Sequence, residues 1–195
     1  MKSVRHLEFI LTLFAACHFF AVPAWGLDAS KVLPAAGTIE FAFSPEDNAA
    51  ALVVRTIDDA KLQVLVQAFS FTHGEIAAAL IRAHDRGLDV QVIADPSQME
   101  LIEHNVVPKL VAAGVAVATD AEHTAAHNKI IIVDPAGHSP VLITGSFNFT
   151  FAAQHRNAEN LLAFRGNYEL CKAYWENWKR HRKHSTAIRP RETTR

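Results

Sequence analysis

Cysteine is scarce in this chain of 195 residues: there are two, Cys17 and Cys171. A disulfide scaffold is thereby excluded as the source of stability, and no close Cys pair exists to hold a metal. Glycine and proline are also few, 8 of each, which rules out collagen-like repetition and a low-complexity chain. Neither charge sign dominates, since 19 Lys and Arg stand against 20 Asp and Glu, so the chain is no uniformly basic polyanion binder. What is plentiful is apolar. Half of the residues are hydrophobic, enough at this length to bury the core of one globular domain.

The long apolar run is confined to the start. Lys2 and Arg5 precede Phe9 to Phe20, and Ala24-Trp25-Gly26 places small residues at a cleavage site before Leu27. This pattern predicts a secretory signal peptide over 1–26 and a globular domain over 27–195. The expected destination is periplasmic or secreted, with no stable membrane association after cleavage. An uncleaved anchor is the alternative, but the run is shorter than the roughly 20 residues that span a bilayer and Pro23 interrupts its end. A lipoprotein site at Phe14-Ala15-Ala16-Cys17 is a third reading, weakened by Phe14 in the place of the usual Leu. Cleavage leaves Cys171 alone, expected as a small buried hydrophobe on a helix.

Charge is unevenly distributed. From Lys172 onward there are eight basic residues against two acidic ones, whereas residues 27–171 carry an acidic excess. The run Lys179-Arg180-His181-Arg182-Lys183-His184 can attract a phosphate backbone; it can equally be a solvated helix end whose cations favour exposed carbonyls.

Strand and helix signals alternate along the chain. Ile39, Phe41 and Phe43 alternate with Glu40 and Ala42, predicting a strand whose Ile39-Phe41-Phe43 face lies in the core. Ser44-Pro45-Glu46-Asp47 supplies an N-cap, a first-turn proline and early acids for a helix to about Ala60. Leu62 to Phe69 and Leu88 to Ala94 are strands, with a helix from Gly74 to Arg86 between them stopped by Gly87. A single helix over Met99 to Ala113 leads through Gly114 to a strand over Val115 to Thr119. This order predicts an α/β fold with a mixed, largely parallel central sheet and helices on both faces. Ala126 to Asp134 and Val141 to Gly145 read as a hairpin, Ala158 to Phe164 as a further strand, and Tyr168 to His184 as a closing helix anchored by Tyr174, Trp175 and Trp178.

The chemistry is concentrated at His127-Asn128-Lys129, Asp134 and Gly145-Ser146-Phe147-Asn148. Side chains two apart on a strand share a face, so His127 and Lys129 project together, as do Ser146 and Asn148. Polar groups among Ile and Val are costly unless they have partners or a task. His-x-Lys-x4-Asp followed within a dozen residues by Gly-Ser-x-Asn arises by chance about once in ten thousand such chains.

These residues resemble the H-x-K-x4-D signature and G-S-x-N element of the phospholipase D superfamily, and in particular its small secreted bacterial nucleases with a single signature per chain. The likeness also takes in Phe43-Ser44-Pro45, Ser70-Phe71-Thr72, Asn157-Ala158-Glu159-Asn160 and the Trp-rich final helix. It departs from that branch at Asn128, where an acid is common, and at Asp95-Pro96-Ser97-Gln98. The resemblance implies the phospholipase D/nuclease fold and a phosphodiesterase that hydrolyses DNA, with RNA as a second polymer, with little sequence preference and without cofactor or metal. His127 would be the nucleophile that forms a phosphohistidine, Lys129 and Asn148 would hold non-bridging oxygens, and Ser146 would contact phosphate or water. Glu159 would accept from the far imidazole nitrogen, while Asp134 and Gly145 would support the site. A second histidine must protonate the leaving oxygen, which implies a homodimer sharing one groove. His73, His123 or His155 of the same chain is the rival acid.

Four residues are expected at most at the margin of substrate: His73 and His155, read as surface loop positions, and Lys179 and Arg180. His123, His127, His138 and Asp134 could be imagined as zinc ligands, but no close ligand spacing supports them. A lipid-acting phospholipase D or cardiolipin hydrolase is the alternative function; a non-catalytic nucleic-acid-binding protein is the third.

Overall fold

The computed structural model describes residues 30–101 and 104–189; the leader expected over 1–26 lies outside them. Short apolar runs between glycine stops form the centre of the sheet. Strands β2 (Gln63–Ala68), β3 (Asp89–Ala94) and β4 (Ala116–Thr119) pair in parallel. Helix α1 (Ala49–Asp58) precedes β2, α2 (Gly74–Asp85) joins β2 to β3, and α3 (Pro96–Leu101) and α4 (Val107–Ala112) join β3 to β4.

Antiparallel strands complete the sheet. β5 (Lys129–Val133) and β6 (Val141–Gly145) form the expected hairpin. β7 (Glu159–Arg165) follows α5 (Phe151–His155) and lies between β6 and β1 (Thr38–Ser44). The order is β1-β7-β6-β5-β2-β3-β4-β8, where β8 (Thr186–Ala187) trails the long helix α6 (Tyr168–His184). The sheet is therefore mixed. Its parallel ladders are β2–β3 and β3–β4, although β1 and β6 also run in the direction of those three strands.

Alternation along the central strands feeds two cores. Val64, Val66, Val92, Ile131 and Ile143 pack with α1, α2 and α4 on one face; Leu65, Ile93, Ile130, Ile132 and Leu142 pack with Cys171 and Trp178 of α6 on the other. Each large side chain buried in this way contributes about 1.5–3 kcal/mol. Trp178 is a core anchor whose Nε1 donates to the Val66 carbonyl at 3.1 Å, while Tyr174 and Trp175 are partly buried beside it. Cys171 is buried, which pushes its thiol up to about 12. No helix among the described residues is long and apolar enough to cross a membrane.

Four local expectations change. The first helix is capped by Asn48, whose Oδ1 accepts from Ala51 N at 2.9 Å, because the Ser44 hydroxyl donates instead to the Ala153 carbonyl. The helix expected over 99–113 is two helices: Pro108 lacks an N–H and crowds the preceding turn, so it opens a new helix. β8 was not foreseen. The core face assigned to β1 is reversed: Ile39, Phe41 and Phe43 are 55%, 61% and 53% exposed, while Ala42 and Ser44 are buried and Glu40 pairs with Arg55 and Arg165. As an edge strand, β1 extends past the cover that α6 gives to the second face.

Candidate active site

Two polar segments are brought to one end of the sheet. The strand expected over 126–134 begins only at Lys129, with His127 and Asn128 in the segment leading into it. That segment is held on both sides: Phe69 N donates to the Asn128 carbonyl at 3.0 Å, and Ala126 N donates to Asp95 Oδ2 at 2.7 Å. His127 is exposed and rests on the Phe69 ring, with centroids 4.3 Å apart.

Lys129 is 6% exposed, and its Nζ reaches back to His127. It lies 2.8 Å from Nδ1 and 3.2 Å from Nε2, and donates to the His127 carbonyl at 2.7 Å. An ammonium only donates, so the ring nitrogen that accepts from it is set by the tautomer of His127. The ammonium also sits 4.9 Å from the Phe69 ring centroid. Burial brings its pKa down to about 8, against the opposing pull of the Glu159 charge. A partly desolvated cation beside an exposed imidazole is an arrangement suited to gripping an anion.

The second segment hangs on Gly145. Its φ of 147° is available to glycine, and a Cβ there would collide with the Asn160 carbonyl. That carbonyl accepts from Ser146 N at 3.1 Å and Phe147 N at 3.2 Å. Phe147 and Phe149 are fully buried, which turns Ser146 and Asn148 outward between them. Ser146 Oγ accepts from Asn160 N and Nδ2, so its proton remains to be donated. Asn148 Oδ1 is buried without a hydrogen-bond partner.

Residues 69–73 connect the two segments: Phe69 touches His127, while Thr72 N and His73 N donate to the Phe149 carbonyl. Among the described residues no hydrogen bond joins Ser146 or Asn148 to His127 or Lys129. Glu159 opens β7 and accepts from Asn157 Nδ2 at 3.0 Å; within the described chain it makes no hydrogen bond to His127, and acts on Lys129 through charge.

Asp134 stands at the far end of β5. Its Oδ1 accepts from Leu62 N and Gln63 N at 2.7 and 2.8 Å, and its Oδ2 from Lys61 N at 2.9 Å. It locks the start of β2 to the end of β5, away from the imidazole.

The marginal residues divide. His73 is no surface position: it is 7% exposed at the N-terminus of α2, and its Nδ1 has no partner. Burial lowers its pKa, with Glu75 opposing and His155 assisting. His73 and His155 line a cavity of about 470 Å³ with Glu75 and Gln154, and His127 is not part of its lining. Lys179 pairs with Glu176 and Arg180 with Asn177, both within α6. The imagined zinc set is dispersed, with His138 in the turn beyond Asp134 and His123 grouped with other histidines. The contacts of Phe69 and Asp95 at the site have no local signal in the sequence: the first is one apolar residue among many, and the second forms its contact 31 positions away.

Residues 53–182 match the family described as "Cardiolipin synthase, PLD-like domain". The chain belongs to the phospholipase D superfamily. This phospholipase D-like chain is 35% identical over 136 residues to a protein of Rickettsia conorii named phospholipase D, covering 70% of this chain and 65% of that one. It is also 35% identical over 112 residues to the mitochondrial cardiolipin hydrolase of Xenopus tropicalis, covering 57% of this chain and 50% of the relative. Among solved structures, Nuc from Salmonella typhimurium, described as a phospholipase D family member, superposes with a TM-score of 0.72 at 31% identity, over 78% of this chain and 98% of Nuc.

Proposed function

We propose that the chain is an exported phosphodiesterase that hydrolyses nucleic acid through a phosphohistidine on His127. The observation that carries this reading is the exposed imidazole of His127 held against the buried ammonium of Lys129. The fold likeness covering 98% of Nuc supports it, as does the resemblance of the motif set to single-signature nucleases.

His127 attacks phosphorus, the bond to the leaving oxygen breaks, and a second histidine gives that oxygen its proton. Water then attacks the same phosphorus, the N–P bond breaks, and the second histidine takes back a proton. Lys129 sits where charge accumulates on the non-bridging oxygens, with the Asn148 amide and the Ser146 hydroxyl as further donors. A cation bound beside His127 would contend with Lys129 for that space, so the proposed chemistry uses no metal.

The second histidine belongs to another copy of the chain. Ile39, Phe41 and Phe43 form an uncovered apolar strip of the kind that marks an interface. The strip leads to the site, since Phe43 is paired with Asn160, whose side chain bonds Ser146. A two-fold dimer through this strip brings the two copies of His127 to one shared groove.

The same strip favours a second reading, a lipid hydrolase that rests it on a membrane surface, in keeping with the names of the rickettsial and Xenopus relatives. The deciding experiment incubates chelator-treated, folded chain with plasmid DNA, RNA, and vesicles of cardiolipin or phosphatidylcholine, beside His127→Ala. Nucleic-acid cleavage lost in the variant supports the proposal. Full activity of the variant overturns the nucleophile, and hydrolysis of lipid alone overturns the substrate.

A further inference from the structure

At the other side of the same sheet end, three histidines meet. His123 comes from the segment between β4 and β5, and His181 and His184 from the last turns of α6. One ring nitrogen of each lies within 4.8 Å of the other two. Ring centroids are 5.5 Å apart for His123–His181, 5.9 Å for His123–His184 and 5.4 Å for His181–His184. The planes meet at 67°, 88° and 81°, so the rings do not stack.

We propose that His123, His181 and His184 bind one divalent transition-metal ion, with Zn2+ as the best fit, and that Asp120 orients two of the rings. Three imidazoles on a tetrahedral Zn2+ with bonds of about 2.0–2.1 Å would have centroids about 5.2 Å apart. The observed separations of 5.4, 5.5 and 5.9 Å exceed this by about 0.2–0.7 Å, a gap that side-chain rotations close. Three nitrogen donors suit Zn2+, Co2+, Ni2+ or Cu2+ and do not suit Mg2+ or Ca2+. His123 and His184 are exposed, which gives an ion and a fourth, water ligand access.

Asp120 is the independent sign of a built site. Its side chain has no exposed surface, yet its Oδ2 lies 2.7 Å from His181 Nδ1 and 3.2 Å from His184 Nε2, and its Oδ1 accepts from Glu122 N. With protons on the nitrogens that face Asp120, Nε2 of His181 and Nδ1 of His184 keep their lone pairs. A carboxylate that fixes the tautomer of a ligating histidine is the usual outer partner of a metal site.

The ion would be structural. His123 lies four residues before His127, and β8, which follows α6, pairs with β4, so one ion would pin the end of α6 to the segment that leads into the active site. This inference does not depend on the substrate of His127.

The test uses the untagged full chain, stripped with chelator and titrated with ZnCl2 by calorimetry and with Co2+ by visible absorption. The expected result is one ion per chain, tetrahedral Co2+ bands, and a higher melting temperature with Zn2+. His123→Ala and His184→Ala should abolish the bands, Asp120→Asn should weaken binding about 10- to 100-fold, and His127→Ala should bind as the parent does. Absence of a Zn2+ effect on melting together with featureless Co2+ spectra overturns the site. So does binding that survives in His123→Ala and His184→Ala, two exposed positions whose replacement leaves the core untouched.

Discussion

Lys129 Nζ lies 2.8 Å from His127 Nδ1 and 2.7 Å from the His127 carbonyl oxygen. The side chain thus folds back on a residue two positions earlier, and one buried ammonium both tethers the segment and charges the groove. Replacing Lys129 with Met should lower kcat by about 10²–10³-fold, the cost of removing one transition-state donor, with a near-native circular dichroism spectrum. A loss below tenfold would remove Lys129 from the chemistry.

The same ammonium sets a pH dependence. With a pKa of about 8, Lys129 loses its proton as pH rises through 8, and the rate should fall over that range. Stability moves the other way. The unfolded chain holds this proton up to its ordinary value near 10.5, so between about 8 and 10.5 the unfolded state binds more protons and folding gains as pH rises. The full gain is on the order of 3 kcal/mol. Urea denaturation at several pH values should show this slope in the parent and its absence in Lys129→Met.

Gly145 offers a steric test. Gly145→Ala places a methyl group against the Asn160 carbonyl in a backbone setting that disfavours a side chain. The variant should lose about 2–4 kcal/mol. Its kcat should also fall at temperatures where it remains folded, because Ser146 and Asn148 shift with the turn. Melting curves read beside rates separate the two effects.

Asp134→Ala removes the acceptor of three backbone amides, those of Lys61, Leu62 and Gln63. A loss of roughly 3 kcal/mol is expected, with kcat per folded molecule within a few-fold of the parent. A fall of 10³-fold in kcat with unchanged stability would assign Asp134 to the reaction instead.

Phe41→Arg tests the uncovered strip. The side chain is mostly exposed, so the monomer fold should hold. Sedimentation should show a shift from dimer to monomer, with activity falling in step; an active monomeric variant would break the shared-groove proposal.

The central strands and their glycine stops were legible because apolar runs of the right length, bounded by Gly87 and Gly114, leave little choice. The His127–Lys129 convergence was legible for a similar reason: spacing two apart survives even though the strand begins only at Lys129. What failed needed knowledge of neighbours. Period-2 alternation in β1 shows that two faces differ, but not which one α6 leaves bare, and aromatic residues misled. Ser44 looked like a cap until Ala153, 109 positions away, claimed its hydroxyl. Asp120 and His181 are 61 positions apart, and no local pattern announces their meeting.

The bonding of Asp134 bears on how related chains should be sorted. The third letter of the motif is committed to main-chain amides at the opposite end of the strand, so its retention reports that the scaffold survives and says nothing of turnover. A genome survey that scores all three letters alike would count as competent a homologue stripped of its imidazole, although on the mechanism proposed for His127 such a molecule would inherit the shape and none of the reactivity.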